Sequence, residues 1–296
     1  MLGAAISFPN LGIEIEKLNN TFTVFGIEIA YYGLIIGIGV LLGAALAFRE
    51  AKKTGQNVED YIDLALYGVV FAIIGARIYY VIFEWDYYSG HPEKIIRIDE
   101  GGLAIYGGII AAVLTCIVLA KIKKLSFWQM ADTGCLGLIT GQIIGRWGNF
   151  FNREAFGGDS DGLFAMRIDT WDTDVAVTVP ESVHYIDDAG RYIQVQPTFL
   201  YESCWNLMVL ILILIFKKHK KYNGEVFLWY IFGYGAGRSI IEGFRTDQLL
   251  IPGTEIAVSQ ALSIVLVILV GILLIYNRVK LSKGKNVRLP DTVKKM

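Results

Sequence analysis

With 296 residues, 54% of them hydrophobic and 19% charged, the chain is more apolar than a soluble domain, where about 45–50% apolar and 25% charged residues are usual. Its mean hydropathy of +0.48 points to a membrane protein; the formal net charge of −1 says nothing about partners until it is split by segment, and no nucleic-acid partner is expected. Cys116, Cys135 and Cys204 lie in apolar runs at irregular spacing, so neither a disulfide framework nor a zinc site is implied, and each is expected as a small buried hydrophobe.

The first 25 residues hold no basic n-region and include Glu14 and Glu16. A cleavable signal peptide is therefore not expected, and the first span should do the targeting. Because about 20 mostly apolar residues cross a bilayer, hydropathy predicts seven spans: Ala30–Phe48, Ile62–Phe83, Leu103–Ala120, Phe127–Trp147, Phe199–Phe216, Val226–Phe244 and Ile256–Asn277. Basic residues follow the first span (Arg49, Lys52, Lys53), the third (Lys121, Lys123, Lys124) and the fifth (Lys217, Lys218, Lys220, Lys221). Acidic loops alternate with them, at 84–100, at 154–188 and around Asp247 and Glu255. The positive-inside rule then places the N-terminus outside and the C-terminus in the cytoplasm.

The expected fold class is an all-α integral membrane protein of seven transmembrane helices, with a small extracytoplasmic cap inserted after the fourth span. Residues 1–29 form an external arm, mildly amphipathic and lying on the outer surface. Residues 30–278 form the membrane body, containing the 150–198 insertion, and residues 279–296 a basic cytoplasmic tail. Within the insertion, Val175–Val179 and the turn Asp187-Asp188-Ala189-Gly190 predict short strands. Trp85, Tyr87, Tyr88 and Trp171 fit an interfacial aromatic belt.

Charged groups inside spans are functional candidates. Arg146 ends the fourth span in Gly145-Arg146-Trp147-Gly148-Asn149-Phe150-Phe151-Asn152-Arg153-Glu154-Ala155-Phe156-Gly157. An arginine at a helix centre costs about 2.5–3.5 kcal/mol on insertion scales, less near the interface, so it calls for a carboxylate or an anionic ligand. Two readings are open: Arg146 snorkels while Asn149 and Asn152 cap the helix, or the cluster binds an anion. On the sixth span Tyr234, Arg238, Glu242 and Arg245 recur at helical spacing on one face, where Arg238 and Glu242 can pair. Pooling Arg77, Arg146, Arg238 and Arg245 against Glu154, Glu202 and Glu242 leaves a slightly cationic set whose forked donors suit phosphate oxygens.

The Arg146 stretch resembles the signature of the bacterial prolipoprotein diacylglyceryl transferases, Gly-Arg-x-Gly-Asn-Phe-x-Asn-x-Glu-x-x-Gly, at every fixed position. Tyr32-Gly33, the run Gly75 to Val81, the run Gln196 to Glu202, and Tyr234-Gly235 with Arg238, Glu242 and Arg245 are similar to further motifs of that family. Two departures stand out. Tyr106 occupies the position where the family usually has His, and Gln196 and Phe199 replace the His and Gln of the later motif. The chain's histidines, His91, His184 and His219, fall in loops, so the resemblance brings no imidazole base to the third span.

The resemblance implies an enzyme of the bacterial plasma membrane. It would transfer the diacylglyceryl group of phosphatidylglycerol to the lipobox cysteine of prolipoprotein signal peptides and release glycerol 1-phosphate, with no metal or other cofactor. Arg146 and Arg238 are the expected phosphate holders. Asn149 and Glu154 would fix Arg146 and the headgroup glycerol, and Tyr234 and Glu242 would orient Arg238. Arg245 and Arg77 are second choices for phosphate, Tyr32 is a further lipid-binding candidate, and Tyr106 an orienting hydrogen-bonding residue, since a phenol with pKa about 10 is a poor base. The alternative from another class is a transporter or channel for a small anion, lined by the same arginines. A seven-span receptor has no support beyond the span count.

Overall fold

A computed structural model describes residues 5–98, 101–172, 175–287 and 289. Long helices occupy each of the seven apolar stretches: α1 Tyr31–Lys53, α2 Val58–Phe83, α4 Ile105–Ile122, α5 Phe127–Asn152, α6 Thr198–Phe216, α7 Glu225–Ile241 and α8 Val258–Ser282, with a short α3, Trp85–Gly90, after α2. Five of the long helices (α1, α2, α4, α8, and α6 with the turn that follows it) are long and apolar enough to cross a membrane. Their outer faces carry exposed Leu, Ile and Val, such as Leu41, Val70, Ile110, Leu212 and Ile272. Water would not tolerate so much apolar surface, and lipid requires it. Of the other two, α7 has 17 residues, and α5 carries Asp132, Gln142, Arg146, Asn149 and Asn152 among its apolar residues.

The contacts divide the chain into two units. The first holds residues 5–43, 136–221 and 225–287. In it α7 packs against α6 and α8, and α1 meets α5 through glycines. A Cβ on Gly43 would lie 2.5 Å from the Gly137 carbonyl oxygen, so the two backbones touch where no side chain intervenes.

The same unit contains β structure. Strands β1 (Ile6–Phe8), β2 (Ile13–Ile15), β5 (Met166–Asp169) and β6 (Tyr192–Val195) form an antiparallel sheet in the order β2-β1-β5-β6, with Ile6 opposite Ile168 and Met166 opposite Val195. Strands β3 (Thr21–Val24) and β4 (Ile27–Ala30) make a separate hairpin. Ile6, Phe8, Met166, Ile168, Ile193 and Val195 join Phe150, Phe156 and Phe199 in one buried core. Within the N-terminal arm, alternate residues Ile6 and Phe8 fill the core between the sheet and the helix ends, while Leu11, Ile13 and Phe25 are exposed. Val175–Val179 forms no strand. The turn at 187–190 does precede β6, closed by Gly190 N–H donating to the Asp187 carbonyl at 3.1 Å, with Gly190 at φ 68°.

In the second unit, residues 44–135 and 222–224 with 289, α2 packs along α4. Ala51, Tyr61, Ala120 and Met130 form its buried core. Helix α2 begins where the Asn57 side chain accepts the Glu59 N–H at 3.2 Å, four residues ahead of the predicted start. Lys123 bridges Asp60 at 2.7 Å and Asp63 at 2.6 Å. Tyr88 leaves the expected aromatic belt, since it is buried with its ring 5.2 Å from the Arg77 guanidinium. Cys135 is buried as expected, whereas Cys204 is exposed on α6.

Truncating Ile6, fully buried, to alanine should destabilise the protein by about 2–4 kcal/mol, the usual range for a large-to-small core change. Leu11→Ala, at a residue 40% exposed, should leave stability within about 0.5 kcal/mol. Thermal unfolding of the two variants in detergent measures the difference, and equal midpoints would deny the arm its place in the core.

Candidate functional site

The site assembles in the first unit from three helix ends. Strand β6 runs through Gln196 and Pro197 directly into α6, so Glu202 lies one turn inside a helix whose start is anchored in the sheet. Glu202 is the lone charged residue of α6, and its side chain is 5% exposed. A carboxylate so placed needs cationic partners, because desolvation is repaid only by close ion pairing. Arg146, near the end of α5, brings Nη2 to 2.8 Å from Glu202 Oε2. Arg238, on α7, places Nη1 3.1 Å from Glu202 Oε1. Arg245, just past α7, brings Nη1 to 3.8 Å from the same oxygen. Three guanidiniums thus converge on one buried carboxylate.

Further carboxylates hold two of the arginines from behind. Helix α7 ends at Ile241 and continues as a 3-10 turn, Glu242–Phe244, which keeps Glu242 Oε2 2.5 Å from Arg238 Nη2. Ser259 at the start of α8 donates to Glu242 Oε1 at 2.5 Å. Arg245 Nε and Nη2 donate to Asp247 at 2.9 and 2.7 Å. Burial alone would raise the Asp247 carboxyl, but the hydrogen bond and charge of Arg245 outweigh it and hold Asp247 below the usual carboxylate range. Burial likewise opposes the charge on Arg245, and Asp247 with the two glutamates more than restores it.

The signature loop supports this cluster. Asn149 and Asn152 both donate to Glu154 Oε1, at 3.0 and 3.2 Å, and Glu154 N–H bonds back to the Asn149 carbonyl. Glu154 is tied to the two amides, and the carboxylate that meets Arg146 is Glu202. Arg153 and Ala155 adopt left-handed φ of 51° and 57°, which ends α5. Gly157 then passes between two backbones: its N–H bonds the Gln196 carbonyl at 2.9 Å, and a Cβ there would lie 2.8 Å from the Phe244 carbonyl oxygen. The loop is thereby laced to the start of α6 and to the turn carrying Arg245. Tyr32 lies against Gly148, where a Cβ would meet its ring at 2.7 Å. Tyr234 stacks on Tyr230 at 6.0 Å between centroids, and Tyr230 accepts a hydrogen bond from Gln142 of α5 at 3.0 Å.

Of the predicted site residues, Arg146, Arg238, Glu242 and Arg245 therefore meet in one cluster, with Asn149, Glu154, Tyr32 and Tyr234 on the same unit. Tyr106 stands half-buried in the first turn of α4, in the second unit. Arg77 also belongs to that unit, and its use as a phosphate ligand is corrected. Nε bonds the Ile95 carbonyl, Nη1 those of Gly101 and Gly102, and Nη2 those of Lys94 and Arg97, at 2.6–3.1 Å. All five of its N–H donors are spent on the backbone after α3. His91, His184 and His219 are exposed.

Two residues carry more than the sequence reading gave them. Glu202 had a visible signal, one carboxylate in an otherwise uncharged span. Arg153 had none, because it occupies a variable position of the signature. It is fully buried, donating to the Leu18 carbonyl at 2.9 Å and Asp172 at 2.7 Å, and so joins the signature to the N-terminal arm.

Several long helices with exposed apolar faces define a multi-pass membrane protein. A model of the prolipoprotein diacylglyceryl transferase family matches residues 19–276. The chain is 44% identical over 267 residues to the phosphatidylglycerol–prolipoprotein diacylglyceryl transferase of Bacillus licheniformis, covering 90% of this chain and 95% of that one. It is 44% identical over 273 residues to the enzyme of the same name from Listeria monocytogenes serotype 4a, covering 92% and 94%. Against that of Geobacillus kaustophilus it is 45% identical over 267 residues, covering 90% and 95%. The chain belongs to the prolipoprotein diacylglyceryl transferase family.

The depressed Asp247 carboxyl gives a pH test. A carboxylate whose folded pKa lies below its unfolded value, about 3.9, contributes stability that is complete above that value and lost as pH falls through the folded one. Asp247→Asn should therefore cost a constant, screened increment of at most about 1 kcal/mol at neutral pH. That increment should shrink to nothing in strong acid, as read from unfolding midpoints of the two proteins across the acid range.

Proposed function

We propose that the protein transfers the diacylglyceryl group of phosphatidylglycerol to the lipobox cysteine thiol of prolipoproteins, releasing glycerol 1-phosphate. The observation that carries this reading is the convergence of Arg146 and Arg238, from different helices, on Glu202 at 2.8 and 3.1 Å. Family membership and relatives named for this transfer support it.

In this reaction the cysteine sulfur attacks the glycerol CH₂ carbon bonded to the phosphate oxygen. The C–S bond forms as the C–O bond breaks, and the electron pair leaves with the phosphate. The thiol proton is carried off formally on the phosphomonoester, which loses it to water above a pKa of about 6. Arg146 is 20% exposed and meets Glu202 through Nη2. Its remaining face is where a phosphate oxygen would add, with Arg238 as second donor. Preorganised donors of this kind, aimed where charge develops, cost no reorganisation at the moment of reaction. They also favour thiolate, whose pKa of about 8.5 falls beside cations. Glu242 keeps Arg238 aimed, Asn149 and Glu154 hold the loop that borders the headgroup, Tyr234 braces α7, and Arg245 is a reserve donor behind Asp247. Tyr32 would line the acyl approach, and Tyr106 orients rather than takes a proton.

The finer topology belongs to the same proposal. Helices α5 and α7 make the fourth and sixth crossings, which brings the total to seven. The 17 residues of α7 reach the lower bound of about 17 for a span. The β1-β2-β5-β6 sheet forms the extracytoplasmic cap, the N-terminus lies outside the plasma membrane, and the Lys-rich loops and tail lie in the cytoplasm.

Purified protein in micelles should release glycerol phosphate from phosphatidylglycerol when a lipobox peptide with cysteine is present, and none with its serine counterpart. Arg238→Ala and Arg146→Ala should each lower the rate about 100–1000-fold, the range for losing one charge-stabilising donor, while Tyr106→Phe should keep most of it. Full activity in Arg238→Ala removes the phosphate clamp. Loss of activity in Tyr106→Phe with lipid binding intact makes Tyr106 a proton carrier.

A further inference from the structure

The arginine cluster is formally neutral, and that bears on which anions it can keep. Arg146, Arg238 and Arg245 stand against Glu202, Glu242 and Asp247. From α8 the contacting group is the uncharged Ser259, and from the signature loop Glu154 adds negative rather than positive charge. Among the described residues, Glu202 alone is approached by all three guanidiniums. A site selected for the tightest grip on phosphate would leave its arginines uncompensated. Here a fixed carboxylate, 5% exposed and so little screened by salt, lies among the donors that meet the ligand.

Resting on the phosphatidylglycerol reading, we propose that Glu202 sets the charge selectivity of the headgroup site. The substrate phosphodiester carries one negative charge. The product phosphomonoester gains most of a second at neutral pH, its second pKa being about 6. With the Glu202 carboxylate in place, the cluster holds a monoanion and disfavours a dianion. The product is therefore expelled by the charge it acquires when the thiol proton leaves for water. Glu202 acts through charge and through the aim of the arginines, not on the reacting atoms. In a cluster lacking it, three guanidiniums would retain the phosphomonoester they helped to form.

The test uses the full chain in micelles, with two soluble inhibitors of transfer to a lipobox peptide: glycerol 1-phosphate, a monoester, and glycerophosphoglycerol, the deacylated diester headgroup. Glu202→Gln should improve inhibition by the monoester relative to the diester about tenfold, the scale of one partly screened charge a few ångströms away. The same variant should lower kcat without raising KM for phosphatidylglycerol, and Glu202→Asp should restore the wild-type ratio. A ratio unmoved or reversed in Glu202→Gln overturns the proposal, as does a rise in KM with the ratio unchanged, the mark of a merely structural role.

Should Glu202→Gln fail to fold, the wild-type protein decides. Taking the pH from about 8 to about 5.5 converts the monoester to a monoanion. Its inhibition should then strengthen about tenfold while that of the diester stays level; a flat or weakening monoester profile overturns the inference. Wild-type protein that transfers nothing to the peptide sinks the functional reading itself. Active wild type with the wrong ratio sinks only the role of Glu202.

Discussion

Like charges repel, and three guanidiniums within a few ångströms of one another in a partly buried site would cost several kcal/mol. The Glu202 carboxylate removes that obstacle by standing between them, at 2.8 Å from Arg146, 3.1 Å from Arg238 and 3.8 Å from Arg245. The rest of the first unit reads as a means of bringing this carboxylate and these arginines to one place. Glu202 is fixed by the strand that feeds α6. Arg238 is fixed by its own i+4 partner Glu242, and Glu242 in turn by Ser259. None of the charges would be stable where it is without the others.

The β sheet, foreign to a purely helical reading, explains why the signature is long. A lone arginine at the end of α5 could be held by Glu202 alone. Thirteen residues, Gly145 to Gly157, are needed because the chain must leave α5, turn twice through left-handed φ at Arg153 and Ala155, and thread Gly157 between Gln196 and Phe244. Ala155 and Gly157 on that path touch the start of α6, which carries Glu202, and Gly157 also touches the turn before Arg245. The N-terminal arm completes it, since Ile6 and Phe8 fill the core beneath Phe150 and Phe199, and Leu18 accepts from the buried Arg153. Loops that hold charges to within a few tenths of an ångström need such a rigid backing.

The helices were legible because about 20 apolar residues have few other uses. Their ends were less so: α7 stops three residues before the predicted Phe244, and α2 starts at an Asn57 cap rather than at Ile62. The convergence of Arg146 and Arg238 was readable from charge in apolar surroundings. The partner was not, because Glu202 is 56 residues from one and 36 from the other along the chain and nothing local links them. Strands of three or four residues pairing across more than 150 positions leave almost no periodicity, and the β-branched run at 175–179 drew attention to the wrong segment. Arg77 shows the opposite failure. An intramembrane arginine announces a need for acceptors, yet peptide carbonyls meet that need as well as a ligand does, and they have no signature in sequence.

The Tyr106 departure takes on a different weight beside this geometry. A thiol with pKa about 8.5 is a few per cent thiolate at neutral pH even unaided, and neighbouring guanidinium groups raise that fraction. In the proposed transfer the larger demand is the charge that collects on the departing phosphate, and that demand falls on Arg146 and Arg238, both present. A general base typically contributes about 10²–10⁴-fold, and substituting a phenol for an imidazole forfeits at most that factor while the electrostatic part of catalysis is kept. A chain with tyrosine at this position can therefore stay an enzyme so long as the arginine–glutamate cluster is whole.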